Sequence, residues 1–142
     1  MGRVQLALNV SDLDQAVSFY SRLFGVEPAK LRPGYANFAV TDPPLKLVLF
    51  ENASAAGSLN HLGVEVETPD EVAAAQTRLS AADLPTASED EVTCCHAVQD
   101  KVWVDGPDGR AWEVYTVLAD ADEPPGDSLR CDDAPASATR CC

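Results

Sequence analysis

Two adjacent cysteines, Cys94 and Cys95, are the residues of this chain most suited to chemistry. A disulfide between neighbours is unfavourable, because the small ring that it closes is far from relaxed bridge geometry. Two thiolates on consecutive residues can instead chelate one soft, thiophilic centre. Free cysteines are also common as small buried hydrophobic residues, so the pair alone is compatible with an ordinary core as well as with a soft metal or metalloid site.

Three further cysteines, Cys131, Cys141 and Cys142, lie near the end of the chain. Five cysteines, an odd number with two adjacent pairs, do not resemble the disulfide framework of an extracellular protein. The N-terminal segment contains one Arg and enters an alternating pattern at once, which is not typical of a secretory signal. We therefore expect a cytoplasmic protein with reduced thiols.

The 142 residues are enough for one domain with a core of its own. Residues 119–142 are acidic and contain almost no large apolar side chain, so they cannot offset the entropy of ordering. This pattern predicts a domain at 1–118 and a disordered acidic, cysteine-containing tail at 119–142. A net charge of −13 opposes binding to nucleic acid or to an anionic membrane surface. No apolar run approaches the roughly 20 residues of a membrane span.

An internal repeat divides the domain into two similar halves. Residues 5–10 (QLALNV) align without a gap on residues 61–66 (HLGVEV), and each segment is followed by a helical pattern. Either Ser11 or Asp12 can cap the first helix, and Thr68 can cap the second. Gly25 is a typical residue for the end of the first helix.

Strand patterns follow both helices. They cover residues 35–40 and 45–51 in the first copy and about 92–97, 101–104 and 111–117 in the second. The segment 105–109 (DGPDG) predicts a hairpin turn between the last two strands. The two copies together predict an α+β fold with two similar halves.

Alternation along the strands places three polar side chains where they can point into one cavity. Gln5 and His61 occupy equivalent positions of the repeat, and Glu113 faces away from Trp112 on the last strand. A strand histidine is often a structural residue, and a strand glutamine often lines a surface. Glu113 is different, because a carboxylate buried in an apolar strand requires a cation or a basic partner.

Four segments, namely the opening strand, DLDQAVSFYSRLFG, HLGVEVETPDEV and DGPDGRAWEVY, resemble the vicinal oxygen chelate superfamily. That superfamily includes glyoxalase I, extradiol dioxygenases and fosfomycin- and bleomycin-resistance proteins, and the resemblance covers nearly all of residues 3–118. It implies paired βαβββ modules, about 1–56 and 57–118, that form a cupped mixed sheet around a metal site. The segments RPGYANFAV, PPLKLVL and TCCHAVQDKVWV and the cysteine-bearing tail resemble in particular its organoarsenical carbon–arsenic lyases.

The resemblance implies that Gln5, His61 and Glu113 are the metal ligands and catalytic centre, with Fe(II) as the cofactor. One imidazole, one carboxylate and one amide oxygen form a variant of the facial triad that leaves open positions on the metal. The implied reaction consumes O2 and cleaves the carbon–arsenic bond of a trivalent methyl- or aryl-arsenical. The products are inorganic arsenite and an oxidised organic fragment, so the implied role is arsenical detoxification.

In the same resemblance, Cys94 and Cys95 bind the arsenic of the substrate. Neighbouring residues of a regular strand face opposite ways, so chelation by both thiolates requires residues 91–99 to leave strand geometry as a loop or bulge. Cys131, Cys141 and Cys142 would be accessory residues that capture substrate, or simply part of a disordered tail without a role. The expected partners are the organoarsenical and O2, and a homodimer is compatible with the resemblance.

Two other functions stay open. A different metalloenzyme of the superfamily, such as a glyoxalase or a thiol transferase, would need the metal ligands but neither cysteine of the adjacent pair. A non-enzymatic protein that sequesters cadmium or arsenite would need the thiols but neither His61 nor Glu113. Lys101 lies beside the candidate site and could orient an anionic substituent, but we expect an exposed position at the start of a strand. For Trp112 we expect a place in the core, and for His96 we assign no role.

Overall fold

The computed structural model describes residues 2–94 and 96–121, and for Cys94 the backbone alone. The described chain forms two compact units. The first unit contains residues 3–62, and the second contains residue 2 together with residues 63–121. Within the described residues no helix is long and apolar enough to cross a membrane. The predicted tail lies outside the described residues from 122 onward.

The elements follow one another in two similar series. The first series is β1 (Arg3–Val10), α1 (Leu13–Phe24), β2 (Lys30–Arg32), β3 (Tyr35–Val40) and β4 (Leu45–Glu51), followed by a 3-10 turn (Ala53–Ala55). The second series is β5 (Leu59–Glu65), α2 (Pro69–Ala81), β6 (Thr86–Cys94), β7 (Ala97–Asp105) and β8 (Ala111–Asp120). Each series is a βαβββ module, which confirms the predicted α+β class and the paired modules.

In the first unit the strands lie in the order β2-β3-β4-β1-β5, and β5 continues into the second unit. β1 pairs with β4 in parallel, and β3 pairs with β4 in antiparallel fashion. Asp12, one of the two predicted caps, accepts a hydrogen bond from the backbone of Gln15, and Gly25 ends α1 at a φ of 67°. Leu6 and Leu8 pack against the core that α1 covers, whereas Gln5 lies on the other face of β1.

In the second unit the order is β5-β8-β7-β6, so β6 lies at the end of the sheet. Thr68 caps α2 as predicted, and Glu71 completes a capping box with it. The core under α2 consists of Val72, Ala75, Leu79 and Val102. The turn at 105–109 is present, because the amide of Gly106 donates to the carbonyl of Arg110 at 2.8 Å.

Three sequence-based predictions for this fold were wrong. β6 begins at Thr86 rather than at about 92, so the polar residues 88–91 lie within it, and β7 begins at Ala97, four residues earlier than predicted. An edge strand pairs on one side only, so it tolerates polar side chains, and a register shift between Glu89 and Val92 accommodates Glu91 at a φ of 50°. Trp112 is 36% exposed rather than in the core. The three-residue strand β2 was not predicted.

Candidate metal ligands and thiol pair

In the first unit, two of the predicted ligands are in direct contact. Gln5 on β1 and His61 on β5 are 4% and 0% exposed, and the Nε2 atoms of the two side chains are 3.1 Å apart. Polar groups buried so completely need hydrogen-bond partners, and the contact supplies one for each. The structure therefore brings an imidazole nitrogen and a side-chain amide together without solvent access.

The other ring nitrogen of His61 contacts a residue that the sequence did not single out. The Oδ1 atom of Asn60 lies 2.9 Å from His61 Nδ1. Asn60 in turn donates from Nδ2 to the Oδ1 atom of Asn9 at 3.1 Å, and Asn9 is 1% exposed. Alternation along β5 places Asn60 and His61 on opposite faces, so no sequence signal pointed to this contact.

In the second unit, the predicted ligand Glu113 is ion-paired. Its Oε2 atom lies 2.9 Å from Lys101 Nζ, and the two residues are 2% and 1% exposed. The expectation that a buried Glu113 needs a basic partner is thereby confirmed. Lys101 therefore contacts a predicted metal ligand directly.

The prediction that Lys101 is exposed was wrong. β7 begins at Ala97, so Lys101 lies inside a strand that has neighbours on both sides, opposite Tyr115 of β8. Its Nζ atom lies 5.3 Å from the ring centroid of Trp103 and 5.9 Å from that of Tyr115. Aromatic faces attract an ammonium group, so both rings favour the buried charge alongside Glu113.

Another buried carboxylate lies on the neighbouring strand β6. Trp103 donates from its indole nitrogen to the Oε2 atom of Glu89 at 3.3 Å, and Glu89 is 9% exposed. This hydrogen bond links β6 to β7 at Glu89, where the register shift of β6 begins. It supports the strand that carries Lys101.

Cys94, the first residue of the thiol pair, lies where the pairing of β6 with β7 ends. The last paired residues are Cys94 and Ala97, and His96 between them has a φ of 62°. Residues 91–94 lie in β6 and residues 97–99 in β7, so most of the segment 91–99 keeps strand geometry, and its described departures are the positive φ of Glu91 and of His96. Cys95 and the three predicted accessory cysteines, Cys131, Cys141 and Cys142, lie outside the described residues.

The donor types decide which metal could be held. Across residues 2–94 and 96–121 there is no cluster of three or more His, Cys, Asp or Glu side chains. The predicted ligand set, Gln5, His61 and Glu113, has only two residues of these four types, because Gln5 is an amide. An imidazole, a carboxylate and an amide oxygen are nevertheless a suitable set for a divalent first-row metal.

Two consecutive βαβββ modules, with side chains of metal-ligand type buried on their strands, define a class of paired-module α+β proteins. The chain belongs to the glyoxalase/bleomycin resistance protein/dioxygenase superfamily, whose sequence model matches residues 2–114. This membership confirms the predicted superfamily.

Two relatives are similar over most of the chain. A trivalent organoarsenical cleaving enzyme of Thermomonospora curvata is 59% identical over 123 residues, which are 86% of this chain and 82% of the relative. The cadmium-induced protein CadI of Mycobacterium tuberculosis is 58% identical over all 142 residues, which correspond to 93% of that protein.

Solved structures support the fold alone. The Mn(II)-bound glyoxalase from Novosphingobium aromaticivorans matches with a TM-score of 0.59 at 21% identity, over 89% of this chain and 43% of that one. Together with the relatives, this fold supports an enzyme of the superfamily.

Proposed function

We propose that this protein is an Fe(II)- and O2-dependent lyase that converts trivalent methyl- or aryl-arsenicals to inorganic arsenite. The observation that carries the proposal is the buried contact between Gln5 and His61, 3.1 Å between their Nε2 atoms. It is a pair of neutral ligand groups in a chain that is 59% identical to a trivalent organoarsenical cleaving enzyme.

Gln5, His61 and Glu113 would hold the metal. His61 would use Nε2, Glu113 its carboxylate, and Gln5 its Oε1 atom. Rotation of the Gln5 amide about its last side-chain bond exchanges nitrogen and oxygen, so the group that now donates to His61 can become a ligand. When bound, Fe(II) would supply the redox chemistry by which dioxygen oxidises the carbon attached to arsenic.

Cys94 and Cys95 would bind the substrate. Trivalent methylarsenic or arylarsenic has two exchangeable positions and one carbon bond, so two thiolates occupy the first two and leave the carbon presented for reaction. Binding displaces the thiol protons, because the thiolate is the ligand form. The positive φ of His96, which follows the pair, supports this role, because chelation requires the backbone to leave strand geometry near the two thiols.

The proposed role is detoxification of organoarsenicals in the cytoplasm, where thiols are kept reduced. The proposed partners are one small organoarsenical and dioxygen. A homodimer is compatible with this proposal.

The test is an anaerobic reconstitution with Fe(II), followed by addition of methylarsenite with and without oxygen. We expect arsenite only when iron and oxygen are both present. Cys94→Ser and Cys95→Ser should abolish arsenite formation and retain iron. Cleavage at the wild-type rate in either variant would contradict the proposal and favour another metalloenzyme of the superfamily, such as a glyoxalase or thiol transferase.

The 58% identity to a cadmium-induced protein over the whole chain favours a second candidate, cadmium or arsenite sequestration on thiolates. The match includes the segment that contains Cys131, Cys141 and Cys142. In this case Cd(II) binding should survive His61→Ala and Glu113→Gln and should fall when the cysteines are replaced. Calorimetric titration of these variants with Cd(II) measures this binding. The lyase differs, because its activity requires both the metal ligands and the cysteines.

A further inference from the structure

We propose that Asn60 is a positioning residue that holds His61 in the tautomer with its hydrogen on Nδ1 and its lone pair on Nε2. The direction of every hydrogen bond in a chain from the Ala55 carbonyl to His61 leads to this assignment. The consequence for metal binding rests on the proposed function, but the tautomer itself does not.

The chain of hydrogen bonds begins at Ser58. Its hydroxyl donates to the backbone carbonyl of Ala55 at 2.6 Å, and a hydroxyl has only one hydrogen to donate. The Ser58 oxygen is therefore the acceptor towards its other neighbour, Asn9, whose Nδ2 atom donates to it at 3.0 Å. Backbone hydrogen bonds hold Asn9 in place, because its amide donates to the carbonyl of Ser58 and its carbonyl accepts from Gly57, both at 2.9 Å.

The direction continues from Asn9 to Asn60. Since the Nδ2 atom of Asn9 points at Ser58, its Oδ1 atom points at Asn60 and can only accept. Asn60 supplies the donor, Nδ2, at 3.1 Å. Turning either amide over would set two donors or two acceptors against each other beside a side chain that is 1% exposed, which is costly.

The last link assigns the ring. With its Nδ2 atom engaged by Asn9, Asn60 presents Oδ1 to His61 Nδ1 at 2.9 Å, and a carbonyl oxygen requires a hydrogen on that nitrogen. In a neutral imidazole the other nitrogen, Nε2, then has the lone pair. The contact at that nitrogen agrees, because the Gln5 amide nitrogen, a donor, lies 3.1 Å from it.

The tautomer decides which ring nitrogen can be a ligand. A metal binds the nitrogen with the lone pair, and the hydrogen bond on the other nitrogen selects it. Asn60 therefore prepares Nε2 for the metal and orients the ring before any metal arrives. Molecules with hydrogen on Nε2 would first have to move a proton to bind metal.

The first measurement is a nitrogen NMR spectrum of metal-free, full-length protein labelled with 15N-histidine, at a pH well above the usual histidine pKa. The chain contains only two histidines, so His96→Gln assigns the His61 signals. We expect Nδ1 of His61 in the protonated range and Nε2 in the lone-pair range. The opposite pattern in the wild type would overturn the inference, whether or not the protein binds metal.

The variants test whether Asn60 is responsible. Asn60→Leu keeps the size but removes the acceptor, so His61 should become a mixture of tautomers. Asn60→Asp keeps the acceptor for Nδ1 but sets an oxygen against Asn9 Oδ1, so it should lower stability while still holding the hydrogen on Nδ1. It keeps the test open if Asn60→Leu does not fold. Ser54→Ala is the matched control, because it removes a nearby hydroxyl that binds Asn52 at 2.8 Å outside the chain. A wild-type pattern in a folded Asn60→Leu, or loss of the hydrogen from Nδ1 in a folded Asn60→Asp, would refute the role of Asn60.

Titration with Co(II) connects the tautomer to the proposed metal site. Asn60→Leu should bind Co(II) about ten- to a hundredfold more weakly than wild type, which is the usual effect of removing a partner behind a histidine ligand. Ser54→Ala should bind as the wild type does. If wild type shows the expected tautomer but does not bind Co(II), the proposed metal function fails and the tautomer assignment stands. Unchanged affinity in Asn60→Leu would remove its role in metal binding.

Discussion

Lys101 and Glu113 form a buried ion pair, with 2.9 Å between Nζ and Oε2 and with both residues at most 2% exposed. One of the partners is a predicted metal ligand. In the absence of any other cation, the ammonium group balances the charge of that carboxylate. A metal that binds Glu113 would therefore enter an environment that already contains a positive charge.

Lys101→Met should destabilise the metal-free protein by about 3–5 kcal/mol, because it leaves a buried carboxylate without a counter-charge. The double variant Lys101→Met/Glu113→Leu should recover much of that loss, since neither charge then remains. Urea unfolding of the three proteins measures both effects. A single variant as stable as wild type would show that the ion pair is not needed for folding.

Lys101→Met also tests whether a metal ion binds at Glu113. Added Co(II) should stabilise Lys101→Met more than it stabilises wild type, because the metal replaces the missing positive charge. The shift of the unfolding midpoint with Co(II) concentration measures this. Equal shifts in both proteins would place the metal away from Glu113.

The predicted ligands should differ in their contribution to iron retention. His61→Ala and Glu113→Gln should each lose Fe(II), because one of three protein donors is removed. Gln5→Ala should weaken retention less, since a neutral amide is the poorest donor of the set. Iron content after anaerobic reconstitution and gel filtration is the measurement, with Gln76→Ala, the same change at an exposed helix position, as the control. Full iron content in His61→Ala would remove His61 from the site.

Two truncations should differ although they end only three residues apart. β8 extends to Asp120, and its residues Ala119 and Asp120 pair with Val98 and Ala97 at the start of β7. Ending the chain at Ala121 should leave stability unchanged. Ending it at Leu118 should cost at least about 1–2 kcal/mol, because the pairing of Ala119 and Asp120 with β7 and the hydrogen bond from the Ala121 amide to the His96 carbonyl are lost. Chemical denaturation compares the two, and a large loss in the longer protein would show that residues 122–142 support the fold.

The capping box of α2 should contribute to stability in a pH-dependent way. The hydrogen bond from the Thr68 side chain holds the pKa of Glu71 below its ordinary value. A carboxyl whose pKa is lower in the folded state stabilises the protein above the ordinary glutamate value, and this contribution is lost as the pH falls through the lowered value. Glu71→Gln should therefore lower the melting temperature at neutral pH and have less effect in acid. Equal effects at both pH values would contradict this role.

Local patterns determined much of the fold. The caps Asp12 and Thr68, the stop at Gly25 and the strands at 35–40 and 45–51 agree with the sequence-based predictions. Each of these depends on residues within a few positions of one another, where periodicity and capping chemistry act directly. The basic partner of Glu113 was also expected, because the cost of burying a carboxylate does not depend on which residue offsets it.

Only the tertiary structure decided which residues meet. Lys101 was expected at the surface, but the register of β7 against β8 places it inside, next to Glu113. The link from Asn9 through Asn60 to His61 joins positions 51 residues apart in the chain and contradicts simple alternation at Asn60. Such contacts depend on how distant strands align, and the sequence encodes that alignment only through the packing of the whole unit.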